Sequence, residues 1–330
     1  MNYTERLMNT AKQYIASNKQ PNWVFAYAGG SVGRGDADVY SDLNLYIVVA
    51  SVEPVSIRKN VLYEDNTIQL NIQSWEGSSM MRAKPWDNRF LSEARIVYDP
   101  HGVFKALKPA VLEYFNSNEG RNRMLKQAKE KVEHYLQCLD SCLHTDDLVG
   151  ASIAVQTAWL TAAHSVAWMR HGSCSNGRLL PIIQEEEPAI YDAFRAICMD
   201  EKGSTIDGSL MSLARYRQYL RELKGSSYML EPIVDMQIAR KVERMVVHGR
   251  EVHIHWLLRK QALMCYIATE GGCWRFDEHY HNAPLTAQHA LDRLGIRAYS
   301  SDQLSDLLRQ VEWLIDQAKR AAAPVVHEIS

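Results

Sequence analysis

Across 330 residues no apolar run approaches the length of a membrane span, and charge of neither sign prevails, 37 lysines and arginines standing against 39 aspartates and glutamates. The first absence argues against a membrane helix. The second removes the global basic field that gathers nucleic acid or an anionic membrane, so neither is a favoured partner. Cysteine is sparse: Cys138, Cys142, Cys174, Cys198, Cys265 and Cys273 all lie in the second half. Their spacings are not the paired short ones of a zinc site or a disulfide framework, which points to reduced thiols. Cys138 and Cys142, one helical turn apart, read as two small hydrophobes on a buried helix face. Internal repeats and low-complexity tracts are missing as well. Residues 1–20 are polar and amphipathic without a signal-peptide apolar centre, so the cytoplasm is the expected address.

What is present has the balance of a globular protein, with 46% hydrophobic and 23% charged residues. At this length two compact units are expected. Leu7, Met8, Ala11, Tyr14 and Ile15 recur at helical spacing over residues 4–17 and predict an amphipathic first helix. A short apolar strand over 23–28 then runs into Gly29-Gly30-Ser31, and residues 43–50 form a mostly buried second strand. Over 67–75 the chain alternates, with Ile68, Leu70 and Ile72 on one face and Gln69, Asn71 and Gln73 on the other, which predicts a strand with one core face. A short helix over 87–93, a strand over 95–98 and a turn at 99–102 follow. From about residue 122 long helical periodicity takes over, including helices over 124–143 and 146–170. Gly-, Ser-, Asn- or Pro-containing stretches at 172–181 and 269–284 are expected to be connections. The expected fold class is α+β: a mixed sheet with flanking helices over 1–118, then an all-helical domain over 119–330.

The chemistry is concentrated in residues 28–49, AGGSVGRGDADVYSDLNLYIVV. Glycines at 29 and 30 let backbone amides approach phosphate oxygens, and a helix start just beyond adds free N–H donors. Ser31 offers one more hydrogen bond, and Arg34 a charge for phosphate if its side chain turns that way. Asp42 and Asn44 lie two apart on a strand and point to one face, as two ligands of one ion must. This arrangement of strand, Gly-Ser turn, short helix and a second strand opening with acidic, apolar, acidic resembles the nucleotidyltransferase superfamily. The helical second unit is similar to that of antibiotic nucleotidyltransferases, in which it walls a cleft for a small hydroxylated acceptor. The resemblance implies an enzyme that moves a nucleoside monophosphate from a triphosphate, ATP in the first instance, to a hydroxyl of a small molecule, with Mg²⁺ held at Asp42 and Asn44. It implies nucleotide contacts from Gly29, Gly30, Ser31 and Arg34. A homodimer is compatible with it.

The departures from that pattern are specific. Asn44 stands at the second acidic position, and Asn71, flanked by Leu70 and Ile72, is the closest match to the third. A carboxamide oxygen can ligate magnesium, but it brings no charge and cannot act as a general base. Loss of a base lowers a rate by roughly 10²- to 10⁴-fold. Glu64, Asp65 and above all Glu76 are the candidates to replace it. The alternative is therefore a nucleotide-binding or regulatory protein that keeps the fold and has lost the transfer step.

Other signals are weighed against plainer explanations. Arg250 and His255 have the spacing of a helical ribonuclease motif, yet with 12 histidines one such spacing is expected by accident. His248, His253, His255, His279 and His281 lack the i,i+4 spacing or cysteine partners of a zinc site. Trp159, Trp168, Trp256 and Trp274 read as core rather than as a wall for a base. Glu185-Glu186-Glu187 before Pro188 reads as a solvated helix start.

Overall fold

A computed structural model describes residues 2–75, 77, 82–199, 205–225, 227–270, 272 and 274–323. Packing divides the chain into two units, one of Met1–Met124 with Glu231–Arg244 and one of Leu125–Leu230 with Met245–Ser330. The fold is α+β: among the described residues a five-stranded sheet falls in the first unit, and the second is helical.

In the first unit, α1 (Tyr3–Asn18) starts where the Asn2 side chain accepts a hydrogen bond from the amide of Glu5. Its apolar stripe of Leu7, Met8, Ala11, Tyr14 and Ile15 is buried on the sheet, as its spacing predicts. The strands are β1 (Trp23–Gly29), β2 (Leu43–Val49), β3 (Ser56–Tyr63), β4 (Asn66–Ser74) and β5 (Arg95–Tyr98), in the spatial order β3-β4-β2-β1-β5. The β2–β4 pair is parallel and the others antiparallel, so the sheet is mixed. Leu43, Leu45, Ile47, Ile68 and Leu70 alternate onto the α1 side and are sealed from solvent there. Each such side chain contributes roughly 1.5–3 kcal/mol of burial.

The opposite face is aromatic at one end and polar at the other. Tyr27 and Tyr46, paired across β1 and β2, stack with ring centroids 4.8 Å apart. Phe104, from α4 (Val103–Asn116), stacks on Tyr27 and Phe25. Before α4, Pro85 opens a one-turn helix, α3 (Pro85–Asn88), which tightens into a 3₁₀ turn over Arg89–Glu93. Lys108 ties down the end of that turn, donating to the carbonyls of Leu91, Ser92 and Ala94.

Strand β3 is not anticipated by the sequence. As an edge strand it is largely exposed and has no clean alternation. Its hairpin to β4 turns through Glu64 and Asp65, both in the left-handed region with φ of 45° and 60°. This is the backbone of a two-residue primed turn without the glycine or asparagine that signals one.

The second unit is built on α6 (Leu148–His171), buried on nearly every side and packed against α14 (Ser301–Ala322). Its N-cap, Asp147, accepts hydrogen bonds from the amides of Gly150, Phe276 and Asp277. Trp159 is fully buried, stacked on Phe194, and donates to Gln310. Trp168 and Trp256 are core as well, whereas Trp274 is 43% exposed. The stretches expected to be loops carry structure of their own. A helix, α7 (Leu179–Glu186), begins inside the first, and α12 (Phe276–Asn282) lies in the second, because buried Phe276 anchors it. Glu186 and Glu187 lie at the junction from α7 to α8 (Pro188–Cys198) and pair with Arg170. Further helices are α5 (Asn118–His144), α9 (Ile206–Lys224), α10 (Pro232–Val247), α11 (Ile254–Glu270) and α13 (Leu285–Arg293). Cys138, Cys142, Cys174, Cys198 and Cys265 are buried, while Cys273 lies outside the described residues. Among the described residues no helix is long and apolar enough to cross a membrane.

Candidate functional site

The corner after β1 and the opening of β2 come together through strand pairing, Gly29 facing Asn44 across the antiparallel ladder. The one-turn helix α2 (Gly30–Arg34) leaves directly from that corner and stops at Gly35, whose amide returns to the carbonyl of Ser31. Ser31, Asp42 and Asn44 are all half-buried. Strand alternation puts Asp42, Asn44 and Tyr46 on the aromatic and polar face, away from α1.

Both glycines of the corner have a local reason to be glycine. A Cβ at Gly29 would lie 2.9 Å from the Tyr46 ring. At Gly30 φ is +61°, and a Cβ there would meet the Asn44 amide nitrogen at 2.8 Å. Both close approaches are to side chains of β2.

Asp42 is the sequence-predicted residue with the most developed surroundings. Its Oδ2 accepts a hydrogen bond from Gln69 Nε2 at 2.9 Å, and the ammonium of Lys241 lies 3.5 Å from the same oxygen. The second proton of the Gln69 amide goes to Gln237 Oε1 at 3.0 Å. Gln237 and Lys241 belong to α10, and Arg244, one turn further on, places its Nε 2.8 Å from Asp38 Oδ2. The other Asp38 oxygen accepts from the Tyr40 amide and the Ser41 hydroxyl, closing a tight loop just before β2. Glu231, before α10, accepts from both the backbone and side-chain nitrogens of Asn60 on β3.

The β2–β4 ladder sets the partners of the carboxamides. Gln69 stands level with Asn44, whereas Asn71 stands level with Tyr46 and, on the other side, with Arg58. Burial raises the pKa of Tyr46; the nearby Arg58 works against that rise and Asp42 and Glu93 add to it. Tyr27, beneath it, is raised further, by its own burial and then by Tyr46. Neither phenol ionises near neutral pH. Arg34 is turned toward carboxylates: its guanidinium lies 3.3 Å from Asp36 and 3.4 Å from Glu93, and its side chain is 13% exposed.

A magnesium ion takes oxygen ligands in near-octahedral array, usually one or two carboxylates completed by water and phosphate. The residues present do not fit it. Asp42 has one oxygen engaged by an amide and an ammonium, and Asn44 supplies no charge. Among the described residues no three His, Cys, Asp or Glu side chains converge as a ligand set. Of the residues considered for the missing base, Glu64 and Asp65 form the tip of the β3–β4 hairpin, and Glu76 lies outside the described residues.

In the second unit, Arg250 precedes a 3₁₀ turn (Glu251–His253), and His255 lies in the first turn of α11, with its Nδ1 3.0 Å from the Ser209 hydroxyl. His253 and His279 are buried against Tyr191 and Tyr216, each with a ring nitrogen 2.9 Å from the phenolic oxygen.

The residues that sequence reasoning missed are Gln69, as the direct partner of Asp42, and Gln237, Lys241 and Arg244. The last three do carry a signal, since spacing of i, i+4 and i+7 puts them on one side of a helix. That signal has no target until the fold supplies one.

No protein-family model and no curated protein matches the chain. A solved structure of a nucleotidyltransferase-like protein from Exiguobacterium sibiricum 255-15 aligns with 74% of this chain and 92% of its own, at 12% identity and a TM-score of 0.35.

Proposed function

We propose that this chain is a nucleotide-binding protein of nucleotidyltransferase type, which recognises a nucleoside triphosphate, ATP in the first instance, at the corner between β1 and α2 and has given up nucleotidyl transfer. The observation that carries the reading is the state of Asp42, hydrogen-bonded by Gln69 and paired with Lys241. Transfer by this class of chemistry needs a base and concentrated positive charge at the reacting phosphate. Asn44 and Asn71 supply neither a base nor a second anionic ligand. Support for the nucleotide comes from the motif over residues 29–49 and from the pairing of Gly29 with Asn44, which brings the corner against the opening of β2.

A second reading is favoured by one observation: Asp42 and Asn44 still share a face beside the corner, the outline of an acidic pair. Under that reading the protein transfers a nucleoside monophosphate to a hydroxyl of a small molecule. One comparison tests both. Calorimetric binding of ATP, GTP, CTP and UTP, and pyrophosphate release with magnesium and a panel of hydroxylated acceptors, are measured for the parent and for Asn44→Asp. The expected outcome is triphosphate binding by the parent with no pyrophosphate released. Robust release by the parent would replace the first reading with the second, and absence of binding by both proteins would remove both.

A further inference from the structure

Helix α10 and the residue before it are tied to the polar face of the sheet and to the loop before β2 at three levels. Glu231 receives two hydrogen bonds from Asn60, at 3.1 and 2.8 Å. Gln237 accepts from Gln69, and its own amide reaches Asn60 Oδ1 at 3.5 Å. Arg244 closes on Asp38 at 2.8 Å. Between the second and third of these ties the helix holds Lys241 over Asp42. The ammonium is therefore delivered by a helix fixed on both sides of it, rather than by a side chain on a loose loop.

We infer that Lys241 is a built-in counter-ion which takes the place a divalent cation would need at Asp42, so that polyphosphate is recognised there without a metal. The polyphosphate half rests on the reading under Proposed function; the exclusion of a dication stands independently of it. A dication approaching Asp42 must displace the ammonium, which repels it, and must compete with the Gln69 hydrogen bond on the same oxygen. Lys241 remains 40% exposed while Asp42 is 15% exposed, so the ammonium has a solvent-facing side. An ammonium has three donors, and one directed at Asp42 leaves others for a phosphate oxygen. Bridging carboxylate to phosphate in this way does the electrostatic work of a bound cation with one positive charge.

Two measurements test this on the full-length protein. Mn²⁺ binding is followed by electron paramagnetic resonance without nucleotide, for the parent, Lys241→Arg, Lys241→Met and Lys241→Met/Asp42→Asn, each checked for folding by circular dichroism. Lys241→Met should bind Mn²⁺ at least about tenfold more tightly than the parent and Lys241→Arg, and the double variant should lose the gain. Equal Mn²⁺ affinity in the parent and Lys241→Met would overturn the counter-ion. ATP binding is then compared in EDTA and in magnesium. The parent should bind equally in both, and Lys241→Met should weaken by about tenfold in EDTA. Binding by the parent that vanishes in EDTA would overturn the inference and spare the nucleotide reading. Failure of every form to bind ATP in either buffer would overturn the nucleotide reading, with the Mn²⁺ comparison still deciding the counter-ion.

Discussion

Replacing Gly30 by alanine separates a glycine kept for the fold from one kept for a ligand. The backbone at Gly30 has φ of +61°, which costs an L-residue roughly 1–2 kcal/mol. The new Cβ would lie 2.8 Å from the Asn44 amide nitrogen. That atom ends a rotatable side chain, so the amide swings off its preferred rotamer for about 0.5–1.5 kcal/mol more. Gly30→Ala should therefore destabilise the first unit by about 2–3 kcal/mol, a sizeable part of the roughly 5–15 kcal/mol that holds an ordinary domain. The assay is calorimetric unfolding of the full chain, following the transition of the first unit. Asn44→Ala in the same background removes the contact but not the dihedral, so the double variant should recover about 1 kcal/mol as coupling. A Gly30→Ala protein within about 0.5 kcal/mol of the parent, with no coupling to position 44, would refute this account of the corner. It would leave ligand contact as the reason for the glycine.

At the β3–β4 hairpin, Glu64→Asn with Asp65→Gly should raise stability by about 1–2 kcal/mol, because both positions are left-handed and the new pair suits a primed turn; an unchanged or lower thermal midpoint would count against that turn geometry. In the second unit, burial lowers the pKa of His253 from 6.5, with Arg250 and Arg195 adding to the effect. The unfolded chain therefore takes up a proton at a pH where the folded one resists it, so the stabilisation is whole above 6.5 and is lost as pH falls toward the lowered folded value. The thermal midpoint should fall on going from about pH 7.5 to about pH 5.5, and by less in His253→Gln; an equal fall in both would assign the acid sensitivity elsewhere.

Much of the first unit was legible because its elements carry strong periods. The i, i+3, i+4 stripe of α1 and the alternation of Ile68, Leu70 and Ile72 follow from one-sided burial, and both lie where expected. Strand β3 was not legible: an edge strand buries little, so Ser56–Tyr63 carries polar residues on both faces, and its turn uses Glu64-Asp65. The motif over 29–49 singled out the corner and Asp42, and strand pairing sets Gly29 opposite Asn44, two residues beyond Asp42. The state of Asp42 could not be read from local sequence. It depends on Gln69 from a parallel neighbour and on Lys241, roughly two hundred residues away in sequence, and only the fold brings such positions together. Arg34 offers a charge to phosphate only if its side chain turns that way, and its direction, toward Asp36 and Glu93, is set by the fold rather than by local sequence.

The carboxamides and the lysine make sense as one set of charges. A dication balances two carboxylates on one face of a strand, whereas a single ammonium balances one. With Lys241 as the cation, a second carboxylate at position 44 would be left about 6–7 Å from Asp42, a repulsion of roughly 2–3 kcal/mol at an effective dielectric of about 20. An asparagine there removes the repulsion and keeps the size of the side chain. The same matching extends around the corner, where Asp36 is answered by Arg34 and Asp38 by Arg244. Position 71 differs, since Arg58 stands level with it on β3 and could balance an aspartate. Asn44 and Lys241 are thus the linked pair: removing the ammonium opens Asp42 to a dication, whereas changing position 44 alone adds a charge that the ammonium already opposite Asp42 cannot fully answer.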